Sequence, residues 1–161
     1  MGCRGVHFAL TAEEAALISS ASNDGQLMTA IEEIEDRWDQ EWLVETDKAW
    51  DAIHRCLTDG TLSYGPTPSH KCVLGSGSLH EGEEYIVNLL EPDEVQQVIL
   101  AIRDIDEPFL RRSYFAIDPD DYDQPPSEED FGYTWDNFRD LREFFEKAAR
   151  HDRAVVFTVD Q

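Results

Sequence analysis

Apolar residues recur with two different periods along this chain, and each period predicts a different kind of element. Val6, Phe8 and Leu10 alternate with other residues near the start, a spacing typical of a β-strand with one buried face. Residues 154–159 begin with an unbroken apolar run, which predicts a strand buried on both faces at the centre of a sheet. Residues 85–90 are apolar except for one asparagine and indicate a third strand.

A second period, of three to four residues, predicts amphipathic helices between the strands. Thr11 and Glu14 have the spacing of a capping box, so the first helix is expected to begin there. Asp47 is the expected N-cap of the third helix, and residues 72–74 are interpreted as a short strand. The final long helix is expected to start near Thr134. The helical apolar stripes are Leu27, Ile31, Ile34 and Trp38; Trp50, Ile53 and Leu57; Val95, Val98, Ile99 and Ile102; and Phe138, Leu141, Phe145 and Ala148.

The order of these elements predicts the fold class. Few strands and more helices, without a repeat or a linker-like segment between them, favour one α+β domain over residues 1–161. We expect a small sheet formed by the N- and C-terminal strands and packed with five to six helices.

The charge of the chain restricts its partners. It carries 35 acidic and 13 basic residues, a formal net charge of −22. A protein that binds a phosphate backbone needs lysine and arginine to displace counterions, so neither nucleic acid nor an anionic membrane is an expected partner. With 41% hydrophobic and 11% aromatic residues the chain can still form a core. The excess carboxylates are therefore expected on its surface.

The sequence also indicates a cellular compartment. No apolar run approaches the ~20 residues of a membrane-spanning helix, and the first ten residues lack the charged start and apolar stretch of a signal peptide. Cys3, Cys56 and Cys72 are an odd number without paired spacing, which is typical of free thiols in a reducing compartment. We therefore expect a cytoplasmic protein.

The acidic residues are concentrated in two blocks. Residues 32–47 hold eight acids and one base, and residues 118–130 hold seven acids and no base. A negative surface of this kind steers a basic partner, and aromatic residues beside the charges are typical interface anchors. Solubility or salt adaptation would explain the same acidity without any partner. The candidate partner-surface residues are Glu35, Trp38, Asp39, Trp42, Asp120, Asp121 and Asp123.

One group of residues has the spacing of a small-molecule site. Asp47, Trp50 and His54 lie on one side of the predicted third helix, so the carboxylate and the imidazole could act as an acid/base pair. The alternative is structural: Asp47 caps the helix, Trp50 lies in the core and His54 bonds to a backbone carbonyl. No catalytic residue is assigned, because the sequence has no nucleophile elbow.

Metal and phosphate sites are not expected. His54/Cys56 and His70/Cys72 are each separated by a single residue, which does not suit zinc chelation from a helix. The acidic block at 118–130 has Asp123 where a calcium loop of the EF-hand type requires glycine. The glycine-containing loop at 75–82 is not followed by the lysine of a phosphate-binding loop. We expect neither a metal nor a cofactor.

Four segments, in order and spacing, resemble the YfbM-like family, a domain of unknown function numbered 1877. The family normally has a Tyr-Gly-Pro-Ala-Arg sequence before the helix that starts at Pro92, whereas Tyr85 is followed here by Ile-Val-Asn with no arginine. The matching residues are Met1-Gly2, Gly5 and Leu10-Thr11; Asp47-Lys48-Ala49-Trp50, Ile53-His54, Leu57-Thr58 and Gly60; Pro92, Glu94 and Val95; and Leu141, Phe144-Phe145, Ala148-Ala149 and Ala154-Val155.

The resemblance implies a bacterial, cytoplasmic protein with a single α+β domain, and it brings no established activity or cofactor. The residues favour a non-enzymatic interaction module that binds a basic protein partner, of which an immunity-type protein is one form. The alternative is a small-molecule-binding protein or enzyme with a pocket near Trp50, His54 and the 75–82 loop. A structural role in a homo-oligomer is a third hypothesis, and the sequence does not predict the oligomeric state.

Overall fold

The two apolar ends of the chain pair with each other at the centre of one sheet. The computed structural model describes residues 3–160, and its four strands have the order β2-β1-β4-β3, with every neighbouring pair antiparallel. The strands are β1 (Gly5–Leu10), β2 (Leu43–Asp47), β3 (Tyr85–Leu90) and β4 (Ala154–Asp160). The helices are α1 (Ala12–Ser19), α2 (Asp24–Arg37), α3 (Ala49–Leu57), α4 (Pro68–Leu74), α5 (Pro92–Ile102), α6 (Glu107–Phe115), α7 (Pro119–Tyr122) and α8 (Glu128–Arg150), and a 3₁₀ helix covers Gln40–Trp42.

The α+β class and the three predicted strands are confirmed. In β4 only Asp160 is exposed, as expected for a central strand. Strand β1 was predicted with one buried face, but every one of its residues is buried because helices cover both faces of the sheet there. Within residues 3–160 there are eight α-helices rather than five to six, because the predicted count missed the short α4 and α7. None of these helices is both long enough and apolar enough to cross a membrane.

The sheet separates two hydrophobic clusters. Val6, Phe8 and Leu10 pack with α1 and α2 on one face. Ala9 and Phe157 belong to the larger cluster on the other face, which includes residues of α3, α4, α5, α6 and α8. Because side chains alternate along a strand, β1 and β4 contribute to both clusters.

Three local predictions are wrong. Residues 72–74 are the last turn of α4, which begins at Pro68 with Thr67 as its N-cap, so they are not a strand. Asp47 ends β2 at φ 48°, and Lys48 is the N-cap of α3 without a side-chain cap hydrogen bond. The final helix starts at Glu128 rather than near Thr134, because Ser127 accepts a hydrogen bond from the Asp130 amide.

Strand β2 was not predicted, because its sequence alternates weakly and lies within the first acidic block. It pairs with β1 at the edge of the sheet, where Val44 lies opposite His7. A register shift next to Gly5 brings that residue opposite Asp47. Charged residues and irregular pairing are typical of an edge strand that is protected from joining another sheet.

Two polar side chains lie in the same row of the sheet and are buried. His7 and Asn88 are both paired in register with Phe157, and they are 0% and 2% exposed. His7 Nε2 lies 2.9 Å from the Cys72 carbonyl oxygen, whereas its Nδ1 and both side-chain polar atoms of Asn88 have no hydrogen-bond partner among residues 3–160. Burial lowers the pKa of His7 to about 4, although the bond to Cys72 acts in the opposite direction.

We predict that His7 makes stability dependent on pH between about 6.5 and 4. The unfolded chain binds a proton at His7 below about pH 6.5, whereas the folded chain does so only near pH 4. The contribution of neutral His7 to the free energy of unfolding is therefore fully present above pH 6.5. It decreases as the pH falls, by about 2–3 kcal/mol at pH 4.5. Urea unfolding at pH 7.0 and 4.5 should show a smaller difference for His7→Gln than for the original chain. The exposed His151→Gln should not change that difference, and an unchanged pH dependence in His7→Gln would contradict the prediction.

Candidate interaction surface

Helix α2 carries the first half of the first acidic block. Asn23 caps its start by accepting from the Gln26 amide at 2.9 Å, and Leu27, Ile31 and Ile34 are buried against the sheet. The exposed carboxylates are Glu32, Glu33 and Asp36. Among residues 3–160 no lysine, arginine or histidine lies within ion-pair distance of these three.

Glu35 lies half-buried at the side of this helix. One of its carboxylate oxygens accepts from the Thr158 hydroxyl at 3.1 Å. Burial raises the pKa of Glu35, and the neighbouring carboxylates Asp160, Glu32 and Asp36 raise it further against the effect of the Thr158 bond. The negative charge around Glu35 is therefore not balanced by ion pairs with cations in the described range 3–160.

Trp38 ends α2 and is partly available to solvent. It adopts the left-handed conformation at φ 42°, and its side chain is 38% exposed. The edge of its ring contacts Phe8, with centroids 5.9 Å apart. Asp39 follows and caps the 3₁₀ helix by accepting from the Glu41 amide at 3.2 Å. Trp38 can therefore contact a partner without leaving its place against the sheet.

The ring of Trp42, in contrast, is covered by two basic side chains of the same chain. The guanidinium carbon of Arg153 lies 3.6 Å from its ring centroid, and Lys147 Nζ lies 4.2 Å from it. Lys147 also donates to the Glu41 carbonyl oxygen at 2.6 Å. The side chain is half-buried, and its contacts join the 3₁₀ helix to the end of α8.

The second acidic block surrounds the short helix α7. Asp121 is ion-paired with Arg55 of α3 at 2.5 Å, and Arg55 also contacts Asp51 at 2.6 Å. Asp120 and Asp123 are exposed, and Asp123 ends the helix at φ 57°. Arg55 thus holds Asp121 next to α3, whereas the carboxylates of Asp120 and Asp123 face solvent.

Asp130 connects the same block to the core through two tyrosine hydroxyls. One of its oxygens accepts from the Tyr114 hydroxyl at 2.6 Å and from the Tyr122 hydroxyl at 3.0 Å. Burial and the Asp130 carboxylate raise the pKa of both tyrosines, which keeps them protonated as donors. The block is therefore held to the core by three elements: α6, α7 and α8.

Helix α2 of the first acidic block and α7 of the second lie in different layers of the fold. Helix α2 covers the sheet face that contains Phe8, whereas α7 connects α6 and α8 of the other layer. Asp47, at the end of the first block, accepts from the Tyr133 hydroxyl of α8 at 2.7 Å. Glu35 and Trp38 therefore belong to a different surface from Asp120, Asp121 and Asp123, whereas Trp42 packs against the larger cluster.

The proposed ligand-pocket residues do not line an open cavity together. Trp50 is 5% exposed and donates from its indole nitrogen to the Cys3 carbonyl oxygen at 2.8 Å. His54 is 0% exposed, and its Nε2 lies 2.8 Å from the Ser63 carbonyl oxygen. Asp47 is bonded to Tyr133, as described above. Trp50 and His54 are thus both in the core. The small-molecule hypothesis requires His54 to be exposed in a pocket, and it is buried instead.

The glycine-containing loop is attached elsewhere. The amides of Glu81 and Gly82 donate to the Asp24 carboxylate at 2.9 and 3.0 Å, and His80 Nε2 lies 3.6 Å from it. These bonds lower the pKa of Asp24. The loop is therefore bound to the first turn of α2 rather than to the Trp50 and His54 region.

Comparison with known proteins agrees with this architecture. Residues 1–158 match the family model described as a domain of unknown function, DUF1877. The chain belongs to this family. It is also similar to the crystal structure of YfbM from Escherichia coli, a protein of unknown function, with 22% identity, a TM-score of 0.66, and coverage of 97% of this chain and 99% of that one. At this identity the similarity shows the fold alone. No curated protein matches the chain.

The histidines, cysteines and carboxylates of this DUF1877 protein can be compared with the needs of metal and thiol chemistry. Residues 3–160 contain no group of three or more His, Cys, Asp and Glu side chains arranged to hold a metal ion. Cys56 and Cys72 are buried free thiols, and burial raises the pKa of Cys56 to about 12. The thiolate is the reactive form of cysteine, and this raised pKa keeps Cys56 as the protonated thiol near neutral pH.

Some contacts of this DUF1877 protein have a signal in the sequence, and others have none. Asp51 and Arg55 are four residues apart on α3, a spacing that indicates an ion pair. The pairing of Arg55 with Asp121 and of Trp42 with Arg153 joins positions 66 and 111 residues apart. No local pattern indicates such contacts, so both aromatic residues of the first block looked equally available.

We predict that Trp42 stabilises the DUF1877 fold and that Trp38 contributes less. Trp42→Ala removes two cation–π contacts and part of a half-buried surface, which should lower the free energy of unfolding by about 2 kcal/mol. Trp38→Ala should lower it by less than about 1 kcal/mol, because its indole is more exposed and has one aromatic neighbour. Urea unfolding followed by circular dichroism measures both values. Equal losses for the two variants would contradict the assignment.

Proposed function

We propose that this DUF1877 protein is a non-enzymatic, acidic interaction module whose α2 surface binds a basic protein partner. An immunity-type protein, which would bind a basic toxin domain, is one form of such a module. The observation that carries the proposal is the group of exposed carboxylates Glu32, Glu33 and Asp36 on α2, which have no ion-pair partner among residues 3–160.

Unbalanced charge of this kind opposes folding, because like charges in one region repel one another. Lysine or arginine side chains of a partner would relieve that repulsion when they bind. Charge on an exposed rim acts mainly on the association rate and depends on salt. The partner should therefore bind faster at low ionic strength than at high ionic strength.

Trp38 supplies the apolar part of the same surface. Its exposed indole lies at the end of α2, directly after the carboxylates, and tryptophan is enriched among the residues that dominate binding energy. Trp42 has its ring covered by Arg153 and Lys147, so we do not include it in the proposed surface. Asp120 and Asp123 remain candidates for a second, separate acidic contact.

The test compares two variants with the same change in net charge. Glu32→Gln/Glu33→Gln/Asp36→Asn alters α2, and Asp140→Asn/Glu143→Gln/Glu146→Gln alters exposed positions of α8. A fluorescent lysine- and arginine-rich peptide serves as the probe in stopped-flow measurements at about 50 and 300 mM salt. We expect the α2 variant to associate about tenfold more slowly at low salt, and the α8 variant to stay close to the original protein.

Equal slowing by both variants would mean that the peptide responds only to net charge. That result would favour solubility as the reason for the acidity and would contradict a specific α2 surface. Absence of measurable association at low salt would contradict the proposal altogether.

A further inference from the structure

We propose that the groove between α1 and α2 binds a basic amphipathic helix of a protein partner. The inference rests on the proposed function and extends it, because it adds the apolar contact and the shape of the partner to the charge. The groove has a volume of about 320 Å³ and is lined by residues of both helices. Its apolar side chains are Leu17, Ala21 and Ala30.

Leu17 is the main apolar group that this groove presents. Helix α1 buries Ala15 and Ile18 against the sheet. Leu17 lies on the outer side of α1, is 57% exposed and lines the groove. Ala21 and Ala30 are small and half-buried, so they leave space beside Leu17 for a side chain of the partner.

Two of the polar side chains that line the groove are hydrogen-bonded within the chain. The Thr29 hydroxyl donates to the Gly25 carbonyl oxygen at 2.9 Å, and the Gln26 side-chain oxygen accepts from the Ser22 amide at 2.8 Å. A partner would not have to replace these bonds with its own. The apolar side chains of the groove are therefore the ones whose burial by a partner is favourable.

Charge defines the rim of the groove. Glu33 lines it directly, and Asp36 lies one helical turn further along the exposed side of α2. Glu13 precedes Leu17 by four residues on α1 and is also exposed. An ion pair between Arg37 and Glu14 joins the two helices at one end. The rim thus carries carboxylates on both helices and its arginine is already paired.

This arrangement fits one kind of occupant. A helix that lies in a groove between two helices buries apolar residues spaced three or four apart and turns its flanks toward the rim. Flanks of lysine or arginine would contact Glu13, Glu33 and Asp36, whereas acidic flanks would be repelled. A second copy of this chain would bring its own net charge of −22 and the same carboxylates to the interface, so it is disfavoured as the occupant.

The test uses two synthetic peptides of identical composition. In the first, leucines recur at helical spacing and lysines occupy the other positions; in the second, the same residues are scrambled so that no apolar stripe forms. Titration calorimetry should show the amphipathic peptide binding about tenfold more tightly than the scrambled one. Leu17→Ala should remove that preference. Leu100→Ala, which alters a leucine of similar exposure (59%) on α5, should preserve it.

The other outcomes would contradict either the groove or the proposed function. Equal binding of the two peptides to the original protein would overturn the groove and leave the acidic surface intact. Equal losses in Leu17→Ala and Leu100→Ala would overturn the groove as well. Binding of neither peptide at low salt would contradict the proposed function itself. A dimer of the free protein that Leu17→Ala converts to a monomer in sedimentation experiments would make a second copy the occupant and overturn the proposal.

Discussion

The antiparallel pairing of β1 with β4 is the contact on which the rest of the structure depends. It joins Val6 to Thr158 and Leu10 to Ala154, and so places the two ends of the chain at the centre of the sheet. Both strands contribute apolar side chains to both faces of the sheet, and each face has to be covered. The helices supply that cover, and their outer sides are where the chain's charge lies.

The few cations of the chain help to hold that architecture together. Arg55 links α3 to α7, Arg153 and Lys147 cover Trp42, and Arg142 donates to the Ile105 carbonyl oxygen beside Phe138. Such contacts join segments distant in sequence and order their side chains. They also leave Glu32, Glu33 and Asp36 of α2 without a counter-charge among residues 3–160. The acidity of the α2 surface is therefore a consequence of where the cations lie as well as of how few there are.

The sequence predicts the central strands and the long helices well, because burial dictates a clear period there. Val6, Phe8 and Leu10 face one cluster, as their alternation indicates, and the capping box of Thr11 and Glu14 forms with bonds of 2.8 and 3.2 Å. The edge strand β2 has no strong period, since only part of it is buried. The apolar run at residues 72–74 is compatible with either a strand or a short buried helix. The helix N-cap at Thr67 is the feature that distinguishes the two.

The candidate residues were harder to predict because their roles depend on distant partners. Trp38 and Trp42 have the same local setting in the sequence, yet Arg153 and Lys147 cover only Trp42. Likewise, the spacing of Trp50 and His54 places them on one side of α3, but it does not say whether that side faces solvent or the core. Their burial follows from α3 packing with α4, α6 and α8 in the larger cluster.

The two layers of the fold are unequal, and this difference bears on where a partner can bind. Five helices contribute to the cluster on one face, whereas only α1 and α2 contribute to the other. In the thinner layer each helix has one neighbour of its own kind, so the outer sides of both are left uncovered. Leu17 and the carboxylates of α2 lie on those outer sides. The layer formed by α1 and α2 is thus the one with the larger share of uncovered side chains. This is a physical reason to place the binding of a partner on that layer.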